Sequence, residues 1–202
     1  MRRLAPLGLL LLLGACKFKR QEAPAIYAPF EEGLTLGYED PSLTTPEEQR
    51  ATRFQVRVSQ GLLDPDKPGL LKLTQSSLTT APFTYMVRVD DGSLELLKED
   101  GTTNAWVFPK GFPDRVAQWR DEARQLEYRV IGPAAWDNPA GVKGVHDPVG
   151  IWVEADGPGG KRRSLFLRGL GEVEGQVLRG HDWVTVRRLV DRAFTDDHLA
   201  TK

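Results

Sequence analysis

The chain has very little of the residues that usually carry chemistry: one cysteine, three histidines and two methionines in 202 residues. A single thiol closes no intramolecular disulfide and supplies no close Cys pair for structural zinc. His146, His181 and His198 stand too far apart in sequence to supply the close spacing that zinc sites favour. Charge of one sign is also lacking, with 27 Lys+Arg against 28 Asp+Glu and a formal net charge of -1. That balance gives no global electrostatic pull toward nucleic acid, whose phosphates need a concentrated basic surface, and no nucleic-acid partner is expected. No apolar run approaches the roughly 20 residues that a membrane-spanning helix needs. No Gly-x-Ser-x-Gly elbow, His-Glu-x-x-His helix or complete phosphate-binding loop is present. Gly160-Lys161 has Ala155 and Arg162 where that loop needs glycine and a hydroxyl, and Gly169-x-Gly171-x-x-x-Gly175 misses the dinucleotide spacing by one residue. What remains, 40% hydrophobic and 27% charged residues, is the composition of an ordinary folded domain.

The N-terminus carries an address. Arg2 and Arg3 precede an apolar run from Leu4 to Leu13, and the run ends in Leu13-Gly14-Ala15-Cys16 before polar Lys17, Lys19 and Arg20. This is the three-part layout of an export segment, and at about 1.5 Å per residue it is too short to span a bilayer. Leu13-Gly14-Ala15-Cys16 resembles the lipobox of bacterial lipoproteins. The resemblance implies cleavage before Cys16 and lipidation of its sulfur. Two or three acyl chains, at about 0.8 kcal/mol per buried CH₂, would make a durable anchor. Residues 1–15 are then the signal peptide and 16–25 a lipidated tether carrying Pro24. Residues 26–190 form one β-rich domain, and 191–202 a polar tail expected to fray. With Lys17 after the cysteine, the expected location is the cell envelope, at the outer membrane and facing the periplasm.

Beyond the tether the pattern has period two. Arg53 to Val58 alternates apolar and polar residues, as a half-buried strand does. Phe83 to Val89, the turn Asp90-Asp91-Gly92 and Ser93 to Leu97 read as a hairpin. After Asp100-Gly101, Ala105 to Phe108 reads as a strand that Pro109 stops. Gln125 to Val130 is another, ending at Gly132-Pro133. Val149 to Ala155 and Arg163 to Leu167 flank a glycine-rich loop, and Gly175 to Leu178 pairs with Trp183 to Val190 through Arg179-Gly180-His181-Asp182. Asp114 to Gln125 suits either a short helix or an irregular loop. The expected fold is all-β and mainly antiparallel, a twisted sheet forming a curved or incomplete barrel with at most one short helix.

Two motifs carry a further resemblance. Tyr27-Ala28-Pro29-Phe30-Glu31-Glu32-Gly33 followed by Tyr38, and Phe166-Leu167-Arg168-Gly169-Leu170-Gly171-Glu172-Val173, are similar to the opening and closing motifs of exported β-rich bacterial lipoproteins of unknown function. Tyr128 to Gly132, Pro139-Ala140-Gly141 and the strand from Gly150 to Glu154 lie between them in the group's order. Leu36 stands where the group usually has tryptophan, and Arg168 where it often has proline. The resemblance implies a curved antiparallel sheet at a membrane and supplies no active residue. Read on their own, Gly169 and Gly171 mark a bend between two strands that requires positive φ or close approach.

No catalytic, cofactor-binding or metal site follows from the sequence, and no cofactor is expected. His181-Asp182 reads as a solvated turn, and Asp90-Asp91 and Asp196-Asp197 as turn and tail solvation. Of Trp106, Trp119, Trp136, Trp152 and Trp183, Trp136 lies beside a loop and is the one expected to face a ligand or the membrane interface. The expected function is a non-catalytic module that docks an envelope partner through a sheet edge. The alternative is a carrier or chaperone holding a lipid-like apolar ligand in the concave face, and the third reading is a hydrolase with an unrecognised site. If Cys16 is the anchor, Cys16→Ser yields a soluble or unprocessed product. An acylated, membrane-bound product from that variant would refute the assignment.

Overall fold

The computed structural model describes residues 27, 30–60, 70–90, 93–98 and 103–194. Cys16, the tether, the turn residues Asp91, Gly92, Asp100 and Gly101, and the tail beyond residue 194 lie outside them. The architecture is all-β: β1(Leu34–Glu39), α1(Pro46–Ala51), β2(Phe54–Gln60), β3(Leu70–Ser77), β4(Phe83–Asp90), β5(Ser93–Leu97), β6(Thr103–Phe108), β7(Gln118–Asp121), β8(Leu126–Ala135), β9(Val149–Asp156), β10(Arg162–Leu167), β11(Gly171–Arg179) and β12(Asp182–Phe194).

All strands belong to one antiparallel sheet of order β6-β5-β4-β3-β2-β1-β12-β11-β10-β9-β8-β7. Two meanders, β1 to β6 and β7 to β12, are therefore joined along a central seam where β1 pairs with β12. The sheet does not close, since β6 and β7 are its free edges. It folds over instead, bringing residues of the two meanders face to face. Phe108 of β6 meets Phe166 of β10 edge-on at 4.9 Å. Tyr27, Leu34, Val58, Leu73, Phe108, Phe112, Leu165, Leu167, Val173 and Leu189, each at most 1–2% exposed, belong to the same core.

The alternating segments form strands because every second side chain meets this core while its neighbours face water. Three strands, β1, β3 and β7, lie outside the segments the alternation marked. The tail also begins later than expected. Asp191 to Phe194 continues β12 and pairs with Leu34 to Gly37, so backbone pairing to β1 orders a segment that carries Asp191 and Arg192 and shows no strand alternation of its own. Gly132-Pro133 does not end β8 either. The extra residue Ile131 forms a bulge between Val130 and Gly132, whose φ of 135° suits glycine, and the strand continues to Ala135. Between Asp114 and Gln125 there is no helix. Turns flank the four-residue strand β7, which pairs with β8.

The helix lies elsewhere, at α1. Thr45 accepts from the backbone N–H of Glu48 at 3.2 Å, while the Glu48 carboxylate accepts from the Thr45 N–H at 3.2 Å. With Pro46 in the first turn, this reciprocal cap closes a six-residue helix that buries no residue.

Close packing leaves Gly150 no room for a side chain. A Cβ there would lie 2.6 Å from both the Phe166 carbonyl oxygen and Leu167 Cδ1. Gly150→Ala is expected to lower stability by about 1–3 kcal/mol. Gly159→Ala, which meets nothing within 4 Å, should stay within about 0.5 kcal/mol in the same denaturant melts.

Candidate functional site

Between the facing halves of the sheet lies a cavity of about 460 Å³. Leu36, Tyr38, Phe54, Val56, Leu73, Tyr85, Val87 and Leu96 line it from one meander, and Tyr128, Val153, Ala155 and Phe166 from the other. Tyr27 and Phe108, each 1% exposed, mark the deep end. Phe83, at 64% exposure, and the exposed Gln75 and Arg162 mark the open side. Trp119 stacks on Tyr128 at 5.0 Å along this wall and meets Phe112 edge-on at 5.6 Å.

Polar groups interrupt the apolar lining at the seam. Arg187 of β12 donates from Nη2 to Glu172 Oε1 of β11 at 2.6 Å. The Tyr38 hydroxyl of β1 donates to the Glu172 carbonyl oxygen at 3.0 Å, and its ring stacks on Phe54 at 5.1 Å. Gly175 makes room for the guanidinium, since a Cβ there would sit 3.0 Å from Arg187 Nε and 3.2 Å from Glu172 Oε1. Arg187 Nε, pressed against that glycine, has no hydrogen-bond partner among the described residues. The side chain as a whole keeps 39% of its surface exposed.

Two β-bulges bring Arg187 and Glu172 onto the concave face. In β12, Gly175 pairs with Arg187 but Gln176 pairs with Thr185, which leaves Val186 as the extra residue and turns Arg187 away from the face of Thr185. In β11, Phe166 pairs with Glu172 but Leu165 with Glu174, so Val173 is extra and the two glutamates face opposite ways. One inserted residue exchanges faces for everything beyond it. Strict alternation puts Thr185 with Arg187 and Glu172 with Glu174, so period-two reading could not find this pair.

On the other face, Glu174 accepts from Thr185 Oγ1 at 2.8 Å and from Gln176 Nε2 at 2.6 Å. Arg163 donates to Gln176 Oε1 at 2.7 Å and lies 4.6 Å and 4.4 Å from the ring centroids of Trp152 and Trp183. Burial against those rings lowers its pKa, and Glu154 and Glu174 oppose the shift. These two tryptophans therefore hold a guanidinium. Trp136 does not face outward as expected: it is 3% exposed within the core. The side chain of Trp106 is outside the described set, which leaves Trp119 as the tryptophan placed on the cavity.

His146 and His181 are exposed, and Asp182 beside His181 is exposed too. Among the described residues no three His, Cys, Asp or Glu side chains gather as metal ligands. Gly169 and Gly171 have φ of 72° and 81° and turn the chain from β10 into β11, the bend read from their spacing. The signal that was available for the site is Glu172, one residue inside the closing motif, and Tyr38, the aromatic after the opening one. Arg187 and Tyr85 belong to no motif.

No protein-family model and no curated protein matches the chain. Among solved structures it is similar to an exported protein with YmcC-like fold from Bacteroides fragilis NCTC 9343, at 10% identity and a TM-score of 0.46, covering 81% of this chain and 96% of that one. It is also similar to a lipoprotein from Parabacteroides distasonis ATCC 8503, at 9% identity and a TM-score of 0.44, covering 83% of this chain and 98% of that one. Neither likeness is close enough to carry an activity or a ligand to this chain.

Burial pushes the Tyr38 hydroxyl well above its ordinary pKa of 10.0, the Glu172 charge adds to the rise, and Arg187 opposes it. Tyr85 is raised as well, again chiefly by burial. Once unfolded, these tyrosines regain the ordinary value and release protons near pH 10 that the folded chain retains. The unfolded state then binds fewer protons, so stability is full below about pH 10 and falls as the pH climbs above it. Tyr38→Phe is expected to cost about 0.5–1.5 kcal/mol at neutral pH through the lost hydrogen bond. It should also flatten the fall in melting temperature between about pH 9.5 and 11.5, and an unchanged alkaline slope would contradict the assignment.

Proposed function

We propose that this chain is a lipid-anchored protein of the bacterial cell envelope that holds an apolar ligand inside its folded sheet and catalyses no reaction. The single observation that carries the ligand reading is the cavity. Its volume of about 460 Å³ lies within the range of about 300–1,000 Å³ usual for ligand sites, and its walls are apolar with a few convergent polar groups. A core built only for stability would be packed solid, because voids forfeit dispersion contacts on every lining atom.

Edge docking has less to rest on. The free edges are the six-residue β6 and the four-residue β7, short templates for an added strand. The anchor rests on the segment ending at Cys16, and the outer-membrane address on Lys17 after it. Eleven residue steps separate Cys16 from Tyr27, a reach of at most about 40 Å when extended. Anchored in that way, the domain would work close to the bilayer surface, where apolar ligands are concentrated.

Titration of the soluble domain with the apolar probe N-phenyl-1-naphthylamine tests the reading. Saturable uptake of about one probe per chain with tryptophan quenching is expected, and Leu96→Trp, which fills the cavity from β5, should reduce it at least about tenfold. No saturable uptake by the wild-type domain would sink the carrier reading.

A further inference from the structure

The charge on the cavity wall narrows the ligand class. The lining includes four arginines, Arg124, Arg162, Arg163 and Arg187, and one carboxylate, Glu172. Arg124 is already paired with the buried Asp121 outside the cavity. Arg163 borders the cavity, but its guanidinium is held on the opposite face of the sheet by Gln176 and the two tryptophans and adds no charge to the cavity face. Arg187 gives one nitrogen to Glu172 and remains partly exposed. Arg162 is exposed and makes no ion pair among the described residues. Arg162 and Arg187 both line a second, shallower hollow beside the cavity, together with Phe54, Gln75, Ser164 and Val177. The two hollows share this wall, so the cationic rim lies where the apolar chamber opens.

We propose that the ligand is a single-chain amphiphile with an anionic head group, its chain among the aromatic residues and its carboxylate or phosphate between Arg162 and Arg187. This rests on the carrier reading above. Guanidinium groups match the geometry of both anions through paired N–H donors, and the Ser164 hydroxyl on the same wall offers a further donor. Size agrees with charge. A volume of about 460 Å³ lies in the lower half of the range of about 300–1,000 Å³ over which sites enclose one drug-sized ligand, which suits one acyl chain better than two. A cationic head would meet net positive charge at the rim, and a neutral one would leave Arg162 without an anion.

Competition against N-phenyl-1-naphthylamine with dodecanoate, dodecyl phosphate, dodecanol and dodecyltrimethylammonium separates the possibilities. Both anions are expected to bind at least about tenfold tighter than dodecanol near 0.1 M salt, with the cation weakest and the preference shrinking near 1 M salt. The two anionic arms distinguish a carboxylate source from a phosphate source. Arg162→Ala should reduce the dodecanoate-to-dodecanol preference at least about threefold. Lys143→Ala, an exposed charge away from the cavity, should leave it unchanged. Equal affinity for dodecanol and both anions, or an Arg162→Ala protein with the full preference, would overturn the head-group assignment while leaving the carrier reading intact. If none of the four displaces a bound probe, the head-group assignment fails. If the probe itself never binds, the carrier reading fails first.

Discussion

The seam between β1 and β12 is the constraint on which the rest of the molecule depends. Each meander is built from sequential hairpins and is local, but the seam pairs Leu34 with Phe194, nearly the whole described chain apart. Closing a loop of that length costs entropy that no single hairpin repays, so the seam forms only as the common core does. It also gives that core its shape. At Gly37/Tyr38 the register against β12 shifts around Val190, and further shifts follow between β11 and β12 and between β10 and β11. Bulges sharpen the local twist and bend the strand, and three of them next to the seam let an open sheet of twelve strands fold back over itself without joining its edges.

The same shifts place the polar groups. Tyr38, Glu172 and Arg187 come from three adjacent strands, β1, β11 and β12, and meet on the concave face at the point where the meanders join. Gly175 supplies the space for this contact, because any larger residue would press on Arg187 and Glu172 together. Curvature and polar chemistry therefore have one cause. A sequence change that removed the extra residue from β12 would alter both the bend and the face to which Arg187 projects.

The parts of the fold legible in the sequence are those governed by local rules. Alternation in Arg53 to Val58 and Phe83 to Val89 reports a face that meets a core, and glycine-rich turns report where chains reverse. Gly169 and Gly171 announced the bend they make, because positive φ is nearly theirs alone. What escaped depends on partners distant in sequence. Asp191 to Phe194 looks like a tail until β1 is laid beside it, and β7 looks like a loop until β8 pairs with it. The helix was local and legible in kind, since Thr45, Pro46 and Glu48 form a capping signature, yet apolar periodicity drew attention to residues 114–125 instead. Trp136 stood beside a loop in sequence but packs inward, because the segment around it folds back on the core: its backbone N–H donates to the Pro148 carbonyl at 2.8 Å.

A charged pair inside an apolar chamber bears on function through its cost. Taking Arg187 and Glu172 partly out of water carries a desolvation penalty that at Arg187 the attraction of Glu172 outweighs, yet apolar residues of similar volume commonly stabilise a fold as well or better. Glu172 holds the Arg187 pKa above its ordinary value against that penalty, so the guanidinium keeps its charge within the fold. Stability alone gives no reason for such a pair at a site surrounded by Tyr38, Phe54, Tyr85 and Phe166. Access to the chamber does give one, since a partly exposed guanidinium is most useful where something entering from water must lose hydration and regain a hydrogen-bonding partner. An apolar wall supplies affinity without orientation, and a fixed cation at its rim supplies orientation. Under the proposed ligand reading, the apolar wall and the cation beside it act on one molecule.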